Sequence, residues 1–271
     1  MLLTKHKITD GSRWAVDGRF LPPGLSLSIL LESPRSDMLA ALASIPVDEP
    51  AAGEEEAPID PQQEVWAAGV TYLRSREARR AESTVADLYD NVYLADRPEL
   101  FMKSMGWRVS GDGALIRIRA DSHWNVPEPE LVVVINCHGE IVGYCAGNDV
   151  SSRDIEGENP LYLPQAKVYT GSCALGQGIW LCEPDAIQNI PIRLKVRRGT
   201  ETIFAGEAST ASMKRSLPEL VDFLTRELDF PQGVFLMTGT CLVPDGGFTL
   251  QPEDIVHIQV GRLQIENKVQ S

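Results

Sequence analysis

The chain has 271 residues, 43% of them hydrophobic, and a formal net charge of −13. Such an acidic balance argues against nucleic acid or an anionic membrane as a partner. No apolar run approaches the ~20 residues that span a bilayer, and the opening MLLTKHKITDGSRW lacks the apolar core of a signal peptide. The expected setting is therefore cytoplasmic. The cysteines, at 137, 145, 173, 182 and 241, include no CxxC pair and read as reduced, mostly buried thiols. The histidines are scattered, without HExxH or HxH, and are assigned no role.

Residues 1–60 read as a small N-terminal domain with its linker, and residues 61–271 as one larger domain. Residues 14–17 and 19–21 fit short strands around an Asp17-Gly18 turn, while residues 25–31 and 38–42 fit either strand or helix. The acidic, Pro- and Ala-rich residues 48–63 read as an exposed linker. Residues 64–72 form a buried strand, followed by a helix running to about Tyr93. That helix starts with Arg74, Arg76, Arg79 and Arg80, which are either a solvated face or the source of a carboxylate anchor. Glu99 lies in a loop entering a short strand, and taken alone it is a plain loop carboxylate. Residues 115–118 form another strand, and residues 155–164 a polar, Pro-bounded loop. Strands follow at 179–182, 192–197 and 202–207. Ser216, Pro218 and Glu219 mark the start of a helix, and residues 233–240 and 254–260 are strands. Many short strands with few helices predict an α+β, mostly β fold, either a barrel or a sandwich-like roll.

The stretch that organises the chain is VPEPELVVVINCHGEIVGYCAGNDVSSRDIEGENPLYLPQAK, residues 126–167. Glu128 and Glu130 stand two apart before an apolar run, so a strand points both to one face. Asp149 ends a second apolar segment. Neighbouring carboxylates repel unless positive charge lies between them. Three of them converging from two strands make a hard, all-oxygen site suited to Mg²⁺, with Mn²⁺ or Ca²⁺ as substitutes. The plain alternative leaves Glu128 and Glu130 solvated on an edge strand, where Pro129 is tolerated.

The pieces GVTY, FMKS, PEPELVVVI, GNDVSSRD, ENPLYLPQAKVY, SCALG and GTCLVP occur in this order. Over about residues 62–265 they resemble the fumarylacetoacetate hydrolase superfamily. RSREAR, RPELF, VPEPEL and ENPLYLPQ carry a closer likeness to its 2-keto-3-deoxy-D-arabinonate dehydratase branch. The resemblance implies a mixed β-roll catalytic domain, a divalent metal and a homodimer or homotetramer. Matched residue by residue, it makes Glu128, Glu130 and Asp149 the metal ligands and Lys167 the active-site lysine. Glu99 becomes a carboxylate near the substrate, and Thr240 a residue lining the site of the substrate carboxylate. Arg74 and Ser75 are candidate substrate contacts in the same segment.

The implied reaction is metal-dependent dehydration of a 2-keto-3-deoxy sugar acid, such as a 2-keto-3-deoxy-pentonate to 2,5-dioxopentanoate. Either Lys167 or Glu99 would take the C3 proton. The alternative is a C–C hydrolase that releases pyruvate or a related 2-oxo acid from a 2,4-diketo acid. Hydrolases of the superfamily often carry N-Y-x-x-H-x-x-E, whose His and Glu activate water. Here Ser75 stands at the His position and Ala78 at the Glu position, which favours elimination. A second departure is Gly239-Thr240-Cys241, which lacks the extra glycine common after the Gly-Thr pair. Decarboxylation of an oxaloacetate-like acid and Schiff-base chemistry through Lys167 are weaker readings.

Overall fold

An uninterrupted apolar run belongs in a strand covered on both faces. The computed structural model, which describes residues 1–74, 91–244 and 246–270, places residues 131–135 in such a strand. The strands of the first part are β1 (Leu2–Ile8), β2 (Gly11–Val16), β3 (Arg19–Phe20), β4 (Glu55–Glu56), β5 (Glu64–Gly69) and β6 (Glu99–Met105). The middle of the chain supplies β7 (Leu115–Arg117), β8 (Asn125–Val126), β9 (Pro129–Ile135), β10 (Ile141–Asp149), β11 (Ser151–Ser152), β12 (Cys173–Leu175) and β13 (Ile179–Leu181). The last part holds β14 (Pro191–Arg198), β15 (Glu201–Ser209), β16 (Val234–Thr240), β17 (Ile255–Val260) and β18 (Leu263–Gln270). The described helices are α1 (Leu27–Leu30), α2 (Arg35–Ser44), α3 (Arg153–Glu158), α4 (Leu163–Lys167) and α5 (Leu217–Thr225).

The larger sheet runs β3-β2-β1-β13-β10-β9-β16-β5-β6, with β12 on β10 and β4 on β1. Within it, β16 and β5 are parallel. The smaller sheet runs β15-β14-β17-β18-β7. Its strands β14, β17 and β18 alternate inward and outward residues, the pattern of a sheet wet on one face, and it packs across β9 and β10. The architecture is an α+β, mostly β roll of two mixed sheets, with β8 and β11 pairing as a separate two-stranded ribbon, and neither large sheet closes into a barrel.

Several expectations change. β9 is central, between β10 and β16, and Glu128 and Glu130 are 3% and 1% exposed, so the solvated-edge alternative fails. Pro129 is tolerated because it is the first residue of the strand. The ambiguous segments at 25–31 and 38–42 are helical, as α1 and within α2. The polar loop at 155–164 is instead the end of α3, a 3₁₀ turn at Pro160–Tyr162 and the start of α4. Its prolines sit in first turns, where they start helices as readily as they bound loops. Most of the helix expected up to Tyr93 lies outside the described residues.

The linker reading holds only in part. Ile59, Asp60 and Gln63 are buried. Asp60 accepts from Trp14 Nε1 at 2.9 Å and from Ser28 N and Oγ, each at 2.8 Å, which straps β2 and α1 to the chain ahead of β5. The thiols are all free, and Cys145, Cys173 and Cys241 are buried. Burial pushes the Cys173 thiol up to about 12. No described helix is long and apolar enough to cross a membrane.

α5 begins as expected, with Ser216 accepting from Glu219 N at 3.2 Å. The Glu219 carboxylate does not turn back to the cap. It accepts from Arg215 Nη1 at 2.6 Å, so only half of the capping box forms. Ser216→Ala is therefore expected to cost about 1 kcal/mol. Asp60→Ala, which leaves buried donors without their acceptor, should cost about 3 kcal/mol or more. Chemical-denaturant midpoints of the two variants should preserve that ranking.

Candidate active site

Strand register brings the carboxylates together. Glu130 pairs with Gly147 of β10 on one side and with Thr240 of β16 on the other. Glu128 precedes β9, and its carbonyl accepts from Asp149 N at 3.0 Å. One oxygen from each of Glu128, Glu130 and Asp149 lies within 4.8 Å of the others, and all three residues are buried. Cations from neighbouring elements surround them. Lys167, the last residue of α4, donates from Nζ to Glu128 Oε2 and Asp149 Oδ2, each at 2.9 Å, and to Ser151 Oγ at 2.6 Å. Lys103 of β6 is ion-paired with Asp149 Oδ1. Arg153 Nη2 lies 3.3 Å from Glu128 Oε1.

This positive charge is unevenly shared. Burial pushes the Asp149 carboxyl up, but Lys103 and Lys167 outweigh it and hold it below its ordinary value. Glu130 lies well above the usual carboxylate range. Burial is the main cause, the charges of Asp149 and Glu128 add to it, and Lys167 and the Gly239 N–H offset only part. That N–H donates to Glu130 Oε2 at 2.6 Å. The donor set is three buried carboxylates of which one is short of positive charge, and this fits a hard divalent cation.

Two glycines shape the surroundings. Gly239 has φ +94°, and a Cβ there would meet Thr71 Oγ1 at 2.0 Å. Gly69 pairs across β5 and β6 with Glu99, and a Cβ there would meet Glu99 Oε2 at 1.9 Å, so the missing side chain leaves room for the carboxylate. Next to it, Val70 has φ +52°, a strained setting for a β-branched residue and one that gathers at functional sites. The cavity over the carboxylates measures about 20 Å³, about the space of one small ion or water.

Of the residues proposed from sequence, Glu128, Glu130, Asp149, Lys167, Glu99 and Thr240 all line this cavity. Arg74 is exposed where its helix begins and does not line it. Ser75 lies outside the described residues. The sequence reading missed Lys103, Arg153 and Glu156. Glu156 is 5% exposed and lines the cavity. Lys103 stands where the β5–β6 register slips, between Met102 opposite Trp66 and Ser104 opposite Val65, so the alternation that puts Glu99 and Phe101 on one face does not single it out. The Phe101 ring lies 5.9 Å from Lys167 Nζ.

Gly69→Ala should displace the Glu99 carboxylate while leaving the fold intact, because the clash falls on a side-chain tip. Turnover should fall well beyond any change in melting temperature, and an unchanged rate would separate Glu99 from the chemistry. Glu130→Gln should stabilise the metal-free protein. Glu130 binds its proton more tightly folded than unfolded, so its favourable contribution is complete below the unfolded value and is lost as pH rises through the folded one. In chelator, the variant should gain about 1 kcal/mol or more, roughly 2–4 °C in melting midpoint, above that range and little near pH 4. It should also lose the extra stability that a divalent ion confers.

The family model described as "Fumarylacetoacetate (FAA) hydrolase C-terminal" matches residues 64–270. A Haloferax volcanii protein named "Probable 2-keto-3-deoxyxylonate dehydratase" is 47% identical over 206 residues, which is 75% of this chain and 70% of that protein. The 2-dehydro-3-deoxy-D-arabinonate dehydratase of Saccharolobus solfataricus is 44% identical over 214 residues, 76% of this chain and 70% of its own. A solved structure of 2-keto-3-deoxy-D-arabinonate dehydratase with magnesium and 2,5-dioxopentanoate matches at TM-score 0.80 and 31% identity, covering 100% of this chain and 99% of that one. The chain belongs to the fumarylacetoacetate hydrolase family.

Proposed function

We propose that this protein is a magnesium-dependent dehydratase that converts a 2-keto-3-deoxy-pentonate to 2,5-dioxopentanoate. The observation that carries the reading is the Lys167 ammonium, 2.9 Å from both Glu128 and Asp149 inside an all-oxygen triad. A proton-transfer group thus sits against the place for a cation. The dehydratase relatives, one of them solved with magnesium and 2,5-dioxopentanoate, support the same reading. It includes a homodimer or homotetramer working in the cytoplasm on a small 2-oxo acid.

Glu128, Glu130 and Asp149 would hold the ion. Magnesium, when bound, supplies Lewis acidity that polarises the 2-oxo group and acidifies the C3 protons. Lys167 is placed to take a C3 proton as the neutral amine, after its ammonium has released one proton to solvent, a loss that a cation held by Glu128 and Asp149 would favour. Its bonds to Glu128, Asp149 and Ser151 fix where the nitrogen stands. Glu99 serves the C4 hydroxyl, which leaves as water. The resulting C3–C4 double bond becomes a C4–C5 enol when a C5 proton is replaced by one at C3, and the enol tautomerises to the aldehyde. Thr240, also lining the cavity, receives the substrate carboxylate.

Purified protein given a 2-keto-3-deoxy-pentonate and Mg²⁺ should form 2,5-dioxopentanoate, identified by NMR. EDTA should abolish the reaction and added Mg²⁺ should restore it. Lys167→Ala should lose about 10²–10⁴-fold in turnover, the usual contribution of a general base. Pyruvate from a 2,4-diketo acid, with the sugar acid left intact, would assign the C–C hydrolase instead.

A further inference from the structure

β6 carries a group that the reaction as derived does not use. Glu99 and Phe101 line the cavity, whereas Lys103, two residues on at an irregularity in the β5–β6 pairing, does not. Lys103 is 0% exposed. An ammonium so completely removed from water persists only where acceptors and negative charge replace its hydration. Lys103 has these. It is ion-paired with Asp149 Oδ1, and it donates to the Val150 carbonyl at 3.1 Å and to the Lys167 carbonyl. The ammonium thus meets two main-chain acceptors and one carboxylate charge.

The identity of the acceptors is informative. One is a carboxylate of the triad, one is the main chain just after it, and one is the main chain of the lysine that faces the cavity. The Lys167 side chain meanwhile holds the other oxygen of Asp149, Oδ2, at 2.9 Å. Asp149 is thus gripped through Oδ1 from outside the cavity and through Oδ2 from within it. A residue that only filled space between β6 and β10 would need a methylene chain and no charge.

We propose that Lys103 is a positioning residue: it holds Asp149 so that Oδ2 is the oxygen offered to a bound ion, and it anchors the end of α4 so that Lys167 stays aimed at the cavity. The inference rests on the dehydratase reading for the roles of Asp149 and Lys167. It assigns to one buried cation the alignment of a ligand and a base that lie 18 residues apart.

A crystal structure of the wild-type protein loaded with Mg²⁺ tests the first half and needs no variant to fold. The ion should bind Asp149 through Oδ2, with Lys103 still on Oδ1 and on the Lys167 carbonyl. Coordination through Oδ1, or a Lys103 turned away, overturns the proposal. Kinetics of Lys103→Met test the second half. At saturating Mg²⁺, kcat should fall about 10–100-fold, the range commanded by groups that orient metal ligands, while the substrate KM moves less than about threefold. An unchanged kcat overturns the proposal. So does a parallel loss of kcat, substrate affinity and melting temperature, which marks a merely structural lysine. None of these failures touches the dehydratase reading, which is judged by the identity of the product.

Discussion

Carboxylates packed into one small, dry volume stay there only if positive charge is placed among them, and this requirement governs the structure. At an effective dielectric near 20, two unit charges about 4 Å apart interact by roughly 4 kcal/mol, comparable to a large part of a domain's net stability. Glu128 and Asp149 satisfy the requirement with Lys167, Lys103 and Arg153. Glu130 has a main-chain N–H. The imbalance separates two acids of one cluster, with Asp149 held low and Glu130 held high. A divalent ion completes the neutralisation that the protein leaves unfinished, which makes the metal-free site a receptor for it.

The fold divides the labour between rigid and locally encoded parts. β9 at the centre of the larger sheet fixes Glu130 through its neighbours on both sides. The chain leaving β10 then delivers Asp149, Ser151, Arg153, Glu156 and Lys167 in quick succession, through β11, α3 and α4. Short helices after a buried strand suit this task, because each turn returns side chains to the strand end from which the segment departed. Strain collects beside the same cavity, where Val70 holds a left-handed backbone at a typical cost of about 1–3 kcal/mol. The continuous apolar core around β9, β10 and β16 absorbs it.

Much of this was written in local pattern. The unbroken apolar run of β9 announced a strand covered on both faces, and the two-residue spacing of Glu128 and Glu130 gave them a common direction. Ser216 with Glu219 marked the beginning of α5. Other features were hidden for identifiable reasons. β18 carries polar residues at every second position, but its buried Asn267 is polar too, which blurs the alternation that β17 shows plainly. Prolines 160 and 164 served as helix starts where a loop was expected. Asp60 looked like one more acid in an acidic stretch, since its donors come from β2 and α1, far away in sequence. Lys103 is the clearest case. A buried lysine and a surface lysine are written with the same letter, and only the contacts of Lys103 with Asp149, Val150 and Lys167, all distant in sequence, distinguish them. Arg74, whose charge suggested an anchor, stands outside the cavity.

β16 occupies the position between β9 and β5, and it is the strand that brings Gly239 to Glu130. Synthesis delivers it long after its two neighbours. A nascent chain that has emerged through β13 therefore holds two apolar strand edges on either side of an empty slot, with Glu130 of β9 lacking its main-chain donor. Pairings between elements so distant along a chain form slowly, and open edges invite intermolecular association while they wait. Biogenesis of this molecule thus has a vulnerable interval that ends only when β16 has emerged, and holding that slot open and apart from other chains is a task suited to chaperones.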